Sequence, residues 1–327
     1  VVVILTLSIL VNSECPVRHG EIEVPAVVSE SNGGLVTLSF DMRPGKGDVY
    51  AMISPPIGIS TQNSIEYARE AAARLTGFDI NECDFYIGIE GVSGSRYIDG
   101  PSAGLTIGLE FASLFTETAL NDEVIATGTL DRTGEVGRIG GLIEKVRAAA
   151  MRNKKVLLTK LSGTKDSIIA YNLMDSYDIK IINVNNLSEA FEIATSNLSD
   201  EFLLNHSKIE PIVESTVVID KEYSHPVQRF DDIANQVVDL FYHEANEYYN
   251  KLNEDSYKKK IVGDMLSDMD NQRLLIRKGY SYTAANNLFN RLMDLRFIKA
   301  IDAGPVSYTH LRAHETRHDL VCRLLLE

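Results

Sequence analysis

Asp99-Gly100-Pro101-Ser102-Ala103-Gly104 is the stretch on which the reading of this chain turns. Pro101 suits the first turn of a helix, where its missing N–H costs nothing and its fixed φ is already helical. The apolar series Leu105, Ile107, Leu109, Phe111, Ala112 and Leu114 follows, which puts Ser102 at a helix N-terminus. Backbone N–H groups there lack intrahelical acceptors and the dipole is positive. An oxyanion formed beside the serine would therefore meet ready-made donors. Taken alone, Asp99 or Ser102 would more simply cap the helix.

The second half of the signal lies 43 residues on, where Gly140-Gly141-Leu142-Ile143-Glu144 leads into Lys145. A helix is predicted over 141–151, and the neighbours of Lys145 three and four residues away are Gly141, Leu142, Ala148 and Ala149. All are small or apolar. A lysine on a buried stripe loses hydration of its ammonium, its pKa falls, and the neutral amine can take a proton from a serine. A lone lysine on such a face ordinarily snorkels to water. The two motifs together, rather than either one, suggest a nucleophile and its base.

These motifs resemble the proteolytic domain of Lon-type (S16) Ser-Lys peptidases. The similarity continues through Arg43-Pro44-Gly45-Lys46-Gly47-Asp48, Leu75-Thr76-Gly77-Phe78-Asp79-Ile80, Ala126-Thr127-Gly128-Thr129-Leu130, Gly134-Glu135-Val136 and Lys155-Val156-Leu157-Leu158, in the family's order. It covers roughly Gly20 to Leu204 and is closest to the archaeal membrane-associated branch that lacks an ATPase module. The resemblance implies an α+β domain of mixed sheets with flanking helices, Ser102 as nucleophile and Lys145 as general base. It also implies that Thr127 hydrogen-bonds the lysine amine and that Asp99 lies close enough to adjust it. Unfolded or flexible polypeptides are the implied substrates, and a hexameric ring the implied assembly.

Two departures limit the carry-over. No Gly-x-x-x-x-Gly-Lys-Ser/Thr phosphate loop occurs in the 327 residues, so ATP-driven threading of folded substrates is not expected of this chain by itself. Glu90-Gly91-Val92-Ser93-Gly94-Ser95-Arg96-Tyr97-Ile98 also differs from better-known Lon sequences and is read as a mobile loop beside the nucleophile.

Length gives room for about two domains, and a hydrophobic content of 44% is enough for a core. The net charge of −14 argues against a nucleic-acid partner, which needs clustered Lys and Arg. Cys15, Cys83 and Cys322 are too few and too scattered to read as a disulfide framework or metal cluster. No cofactor or metal is expected.

Residues 1–14 open with an apolar run, Val1 to Val11, broken only by Thr6 and Ser8. A full membrane helix needs about 20 apolar residues. The run is read as the end of an anchor or of a signal peptide, with the protease domain extracytoplasmic. The sequons at Asn186, Asn197 and Asn205 are compatible with export.

Within a protease domain assigned to 15–204, Val36, Leu38 and Phe40 alternate with polar residues as in a half-buried strand. Ile65, Ala68, Ala72 and Leu75 line a helix that Gly77 can end. Further strands are predicted at Asp84 to Ile89, Val124 to Leu130, Val156 to Thr159 and Ile179 to Ile182, with helices near Asp166 to Met174 and Leu187 to Ala194. A linker is assigned to 205–225 and an acidic, all-helical region to 226–304. In that region Ile233, Val237, Leu240 and Phe241 form one apolar stripe and Leu288, Leu292 and Leu295 another. Its role is read as docking on the protease or on a separate partner protein. Tyr242, Tyr248, Tyr249, Tyr280 and Tyr282 suggest packing between helices more than a binding surface.

Two other motifs are set aside. His314-Glu315-Thr316-Arg317-His318 fits the zinc-protease pattern, but no third ligand is identifiable and residues 305–327 resemble translated sequencing-adaptor read-through. Ser162-Gly163-Thr164-Lys165 fits the Ser-x-x-Lys of penicillin-recognising enzymes without its partner motifs, and reads as a helix start. The leading reading is a membrane-tethered or exported Ser-Lys endopeptidase. Its rival is a non-catalytic scaffold or peptide-binding member of the same fold.

Overall fold

The computed structural model describes residues 15–29, 32–51, 56–90, 99–207, 228–254 and 256–302. The apolar N-terminal segment, the loop at 91–98, the linker from residue 208 onward and the His314 motif lie outside the described residues. By contact the chain divides into two compact units, Val1–Leu161 with Leu173–Lys208, and Ser162–Asn172 with Ile209–Glu327.

The first unit is a mixed α/β domain with three sheets. Strand β1 (Arg18–Ser29) pairs antiparallel with β2 (Asn32–Pro44), which pairs antiparallel with β4 (Cys83–Glu90). The short β3 (Val49–Ala51) lies parallel to β4, giving the order β1-β2-β4-β3. Helix α1 (Ile59–Thr76) buries Ile65, Ala68, Ala71 and Ala72 and ends where Gly77 takes φ 73°. That left-handed cap is open to glycine at no steric cost.

Helix α2 (Gly104–Thr116) is apolar around most of its circumference, and Leu105, Ile107, Leu109, Phe111, Ala112 and Leu114 are all buried. A helix of that kind belongs in the interior rather than on a surface. Phe111 meets Phe40 of β2 and Phe85 of β4 edge-on, at centroid distances of 5.3 and 5.5 Å. Each such pair adds about 0.5–1.5 kcal/mol beyond the area it buries.

The second sheet is parallel, with β5 (Val124–Ala126), β8 (Val156–Thr159) and β9 (Lys180–Asn183) in the order β5-β8-β9. A two-stranded hairpin, β6 (Thr129–Leu130) and β7 (Val136–Gly137), is the third. The continuous strand predicted at Val124 to Leu130 is thus broken at Thr127-Gly128. The break has a cause. Thr127 N–H donates to Leu158 O of β8, whereas Gly128 N–H donates to Ser102 O, so the chain leaves the sheet to meet the serine. Helices α3 (Leu142–Met151), α5 (Leu187–Thr195) and α6 (Asp200–His206) follow in this unit, whereas most of α4 (Gly163–Ser176) falls in the second. Ser162 N–H and Oγ both donate to Asp166 Oδ2 at the head of α4, the helix start expected there.

One reading of the sequence fails. Cys15 and Cys83 form a disulfide, with Cα atoms 5.3 Å apart. Arg18 lies opposite Met42, and Met42 opposite Phe85. Cys15, just before β1, and Cys83, at the start of β4, therefore reach the same end of the sheet. Spacing along the chain cannot reveal a pair that two strand registers create.

The second unit contains α7 (Gln228–Tyr249), α8 (Tyr257–Ser267), α9 (Met269–Arg277) and α10 (Ser281–Asp302). On α10, Leu288, Leu292 and Leu295 are buried as their spacing predicts. On α7 the buried face is Ala234, Val238, Phe241 and Ala245, while Leu240 is 44% exposed. The buried face is therefore turned by about one residue from the predicted stripe: Phe241 belongs to both, whereas Ile233 and Val237 are only half-buried. Tyr248 is buried, whereas Tyr242 and Tyr282 are exposed. Among the described residues no helix is long and apolar enough to cross a membrane.

Candidate active site

Pro101–Ala103 form a single 3-10 turn that runs directly into α2, and Ser102 sits at its centre. Gly104 lets this turn lie against β6, since a Cβ there would come 2.9 Å from Leu130 N. Ser102 O accepts from Gly128 N–H at 2.9 Å and from Thr127 Oγ at 3.1 Å. The backbone of Ser102 is thereby tied to the broken strand.

Lys145 arrives from the other side on α3. Gly141, at the N-cap, has φ 68°, and a Cβ there would come 2.4 Å from Val27 Cγ2. Only glycine meets both conditions without strain. The helix so placed carries Lys145 inward, where the residue is 3% exposed. Its Nζ lies 2.9 Å from Ser102 Oγ and 3.1 Å from Thr127 Oγ1. Burial pushes the ammonium of Lys145 down to about 8, because withdrawal from water penalises the charged form.

Thr127, fully buried, orients the pair. Its hydroxyl proton is committed to Ser102 O, so its oxygen can only accept from Lys145. One amine N–H is then held by Thr127 while the neutral amine's lone pair is free to face Ser102 Oγ. Ser102, Lys145 and Thr127 thus come together in the structure. Asp99 Oδ1 accepts from Thr61 N–H at 3.2 Å, at the start of α1. Gly58, the N-cap of α1, makes no side-chain cap bond, so Asp99 caps that helix from a distant part of the chain.

Thr61 and Ser64 were missed by the sequence reading. Thr61 Oγ1 accepts from Gly100 N–H at 3.1 Å, and Ser64 Oγ donates to Pro101 O at 3.3 Å. Both hold the turn that presents Ser102. The hydroxyl-rich run Ser60-Thr61-Gln62-Asn63-Ser64 at a helix start is the signal that would have found them. Beside the turn lies a cleft of about 500 Å³ whose walls include Ser64 and Tyr67 of α1, Pro101, and Leu130 and Val136 of the hairpin.

A mixed α/β domain that brings a serine at a helix head against a buried lysine is the class of protein this fold and site define. The Lon protease (S16) C-terminal proteolytic domain matches residues 31–197, just over half of the chain, and the chain belongs to that family. Lon protease 2 of Desulfotalea psychrophila is 32% identical over 162 residues, which is 47% of this chain and 20% of that protein. Lon protease of Rickettsia felis is 32% identical over 51% of this chain and 22% of its own length. Lon protease of Vibrio parahaemolyticus has the same identity over 51% and 21%. The chain thus spans about a fifth of the length of these relatives.

Proposed function

We propose that the chain is a serine endopeptidase in which Ser102 attacks the scissile carbonyl and Lys145 is the general base. The observation that carries this reading is the 2.9 Å approach of Lys145 Nζ to Ser102 Oγ in a site where burial brings the lysine to about 8. The neutral amine takes the Ser102 proton as Oγ bonds to the carbonyl carbon. The oxyanion is held by backbone N–H groups that follow Pro101 in the 3-10 turn, that of Ser102 first. As the tetrahedral adduct collapses, the Lys145 ammonium returns its proton to the departing amine. Water, deprotonated by the same lysine, then cleaves the acyl-enzyme.

The substrates under this proposal are unfolded or flexible polypeptides, and the working form is a ring of identical chains, as the family resemblance implies. Asp99, Thr61 and Ser64 act as positioning residues. An oxidising, extracytoplasmic location on a membrane, with kinship to the archaeal membrane-associated branch, belongs to the same proposal. The apolar run at residues 1–14 and the Cys15–Cys83 disulfide support it. The helices from Gln228 onward are assigned to docking a partner protein.

The deciding experiment is cleavage of an unfolded, casein-like protein by the purified chain without ATP. Wild type cleaves and Ser102→Ala does not. Equal cleavage by the two, or none by either, overturns the proposal. Thiol alkylation with and without reductant in the source cells tests the location, and freely alkylated Cys15 and Cys83 would count against it.

A further inference from the structure

A cavity of about 710 Å³ lies between β1, the middle of α2 and the chain leading into β5, and Ser102, Thr127 and Lys145 are not among its lining residues. Glu110, on α2, lines it while being only 5% exposed. Among the described residues no hydrogen-bond donor or salt-bridge partner meets its carboxylate, and the ring of His19 is the titratable neighbour that, when protonated, favours the ionised form. Gly20 of β1 makes room for it, because a Cβ at that position would come 1.8 Å from Glu110 Oε1. The fold thus holds a carboxylate inside a cavity wall with no partner among the described residues.

The other charges around the cavity are largely committed. Arg18 donates to the carbonyls of Leu114 and Phe115 and pairs with Glu117 at 2.6 Å. Lys154 pairs with Glu23 at 2.8 Å and donates to Asp122 O. Glu21, at the rim, has His19 at 3.6 Å. Arg18 Nε is buried without a hydrogen-bond partner but its guanidinium charge is paired, so among the described residues Glu110 is the buried charge of the lining left without an ion pair.

A buried carboxylate without a partner is costly, and a hydrogen-bonding cation relieves that cost. We infer that this cavity binds an organic cation, a protonated amine or guanidinium, whose charge pairs with the carboxylate of Glu110. The ligand is either a free small molecule or a basic side chain of a polypeptide. Burial pushes Glu110 up to about 7, so the carboxylate is mostly ionised at pH 8 and mostly protonated at pH 5.5.

Titration calorimetry of the full chain at pH 8 with methylguanidinium, and separately with the peptide amide Gly-Arg-Gly, tests the site and distinguishes the two sources. Binding of the peptide marks a docking site for a basic side chain, and binding of methylguanidinium alone a small-molecule site. Glu110→Gln keeps shape and removes charge, so it should weaken binding at least about tenfold while leaving cleavage of the unfolded protein unchanged. Should that variant fail to fold, the wild type itself serves, with binding expected to weaken by the same factor at pH 5.5. Absence of binding by both cations at pH 8, affinity unchanged in a folded Glu110→Gln, or affinity unchanged at pH 5.5 overturns the inference. No residue is shared with the serine and lysine site, so failure here and failure of cleavage are separate results.

Discussion

Lys145, against the head of α2, and Glu110, two turns further along that helix, are both ionisable side chains withdrawn from water, in opposite surroundings. Burial drives both toward the neutral form, the lysine down to about 8 and the glutamate up to about 7. Lys145 meets two hydroxyls that can use a neutral amine. Among the described residues Glu110 meets no donor, and it faces an open cavity. Desolvation therefore sets the charge of a group, while the partners it is given decide whether a shifted pKa becomes chemistry.

The comparison breaks first if the lysine is dispensable. Ser102→Ala and Lys145→Met should each lower kcat/KM for an unfolded protein by about 10⁴-fold or more, since the two groups act as a unit. Melting temperatures should change little. A Lys145→Met enzyme within tenfold of wild type would show the amine to be a bystander, as Glu110 is to this reaction.

The next largest effect belongs to Glu110. Its carboxyl is raised from 4.5 to about 7, so the folded protein holds a proton that the unfolded chain releases. The stability contributed by that proton is complete below about pH 4.5 and is lost as pH rises through about 7. Relative to Glu110→Gln, the wild type should lose about 2–3 kcal/mol between pH 5 and pH 8. Urea unfolding of both proteins at the two values measures this, and parallel pH dependences would mean that Glu110 is not desolvated. Saturating methylguanidinium should recover part of the loss in the wild type alone.

Most of this architecture is legible in the sequence where local chemistry decides it. Pro101 before an apolar run marks the turn that carries Ser102, Gly77 marks the end of α1, and the small neighbours of Lys145 mark its burial. What the sequence hides is made by register and tertiary contact. Cys15 and Cys83 meet only because two strand pairings align them. The strand through Thr127 breaks because Gly128 N–H is drawn to Ser102 O. Asp99 carries the family motif, but its bond to Thr61 N–H depends on where α1 lies. On α7 the stripe read at Ile233, Val237, Leu240 and Phe241 and the buried face at Ala234, Val238, Phe241 and Ala245 share one residue, since the packing of the helices and not the local pattern sets the rotation. Glu110 gave no signal, since a single carboxylate in an apolar helix looks like an interruption until Gly20 is placed beside it.

A third test is the pH profile of the proposed protease. A base at about 8 is roughly 1% neutral at pH 6 and half neutral at pH 8. Thus kcat/KM should rise about fiftyfold across that interval and level off above it. Glu110→Gln should leave the profile where it is, whereas a wild-type profile flat from pH 6 to 9 would remove Lys145 as the base.

Thr127→Val carries the smallest effect and sharpens the comparison most. Valine matches the shape of threonine and keeps the buried site dry, so the desolvation that lowers Lys145 is retained. What disappears is the acceptor for one lysine N–H and the donor to Ser102 O. If partners rather than burial make the chemistry, kcat should fall about tenfold to a hundredfold while KM stays within about twofold. The acid limb of the profile should also move below pH 8, because an ammonium loses more than an amine when its acceptor is removed. A variant with unchanged kcat would mean that burial alone prepares the lysine. Lys145 and Glu110 would then differ only in what happens to lie next to them.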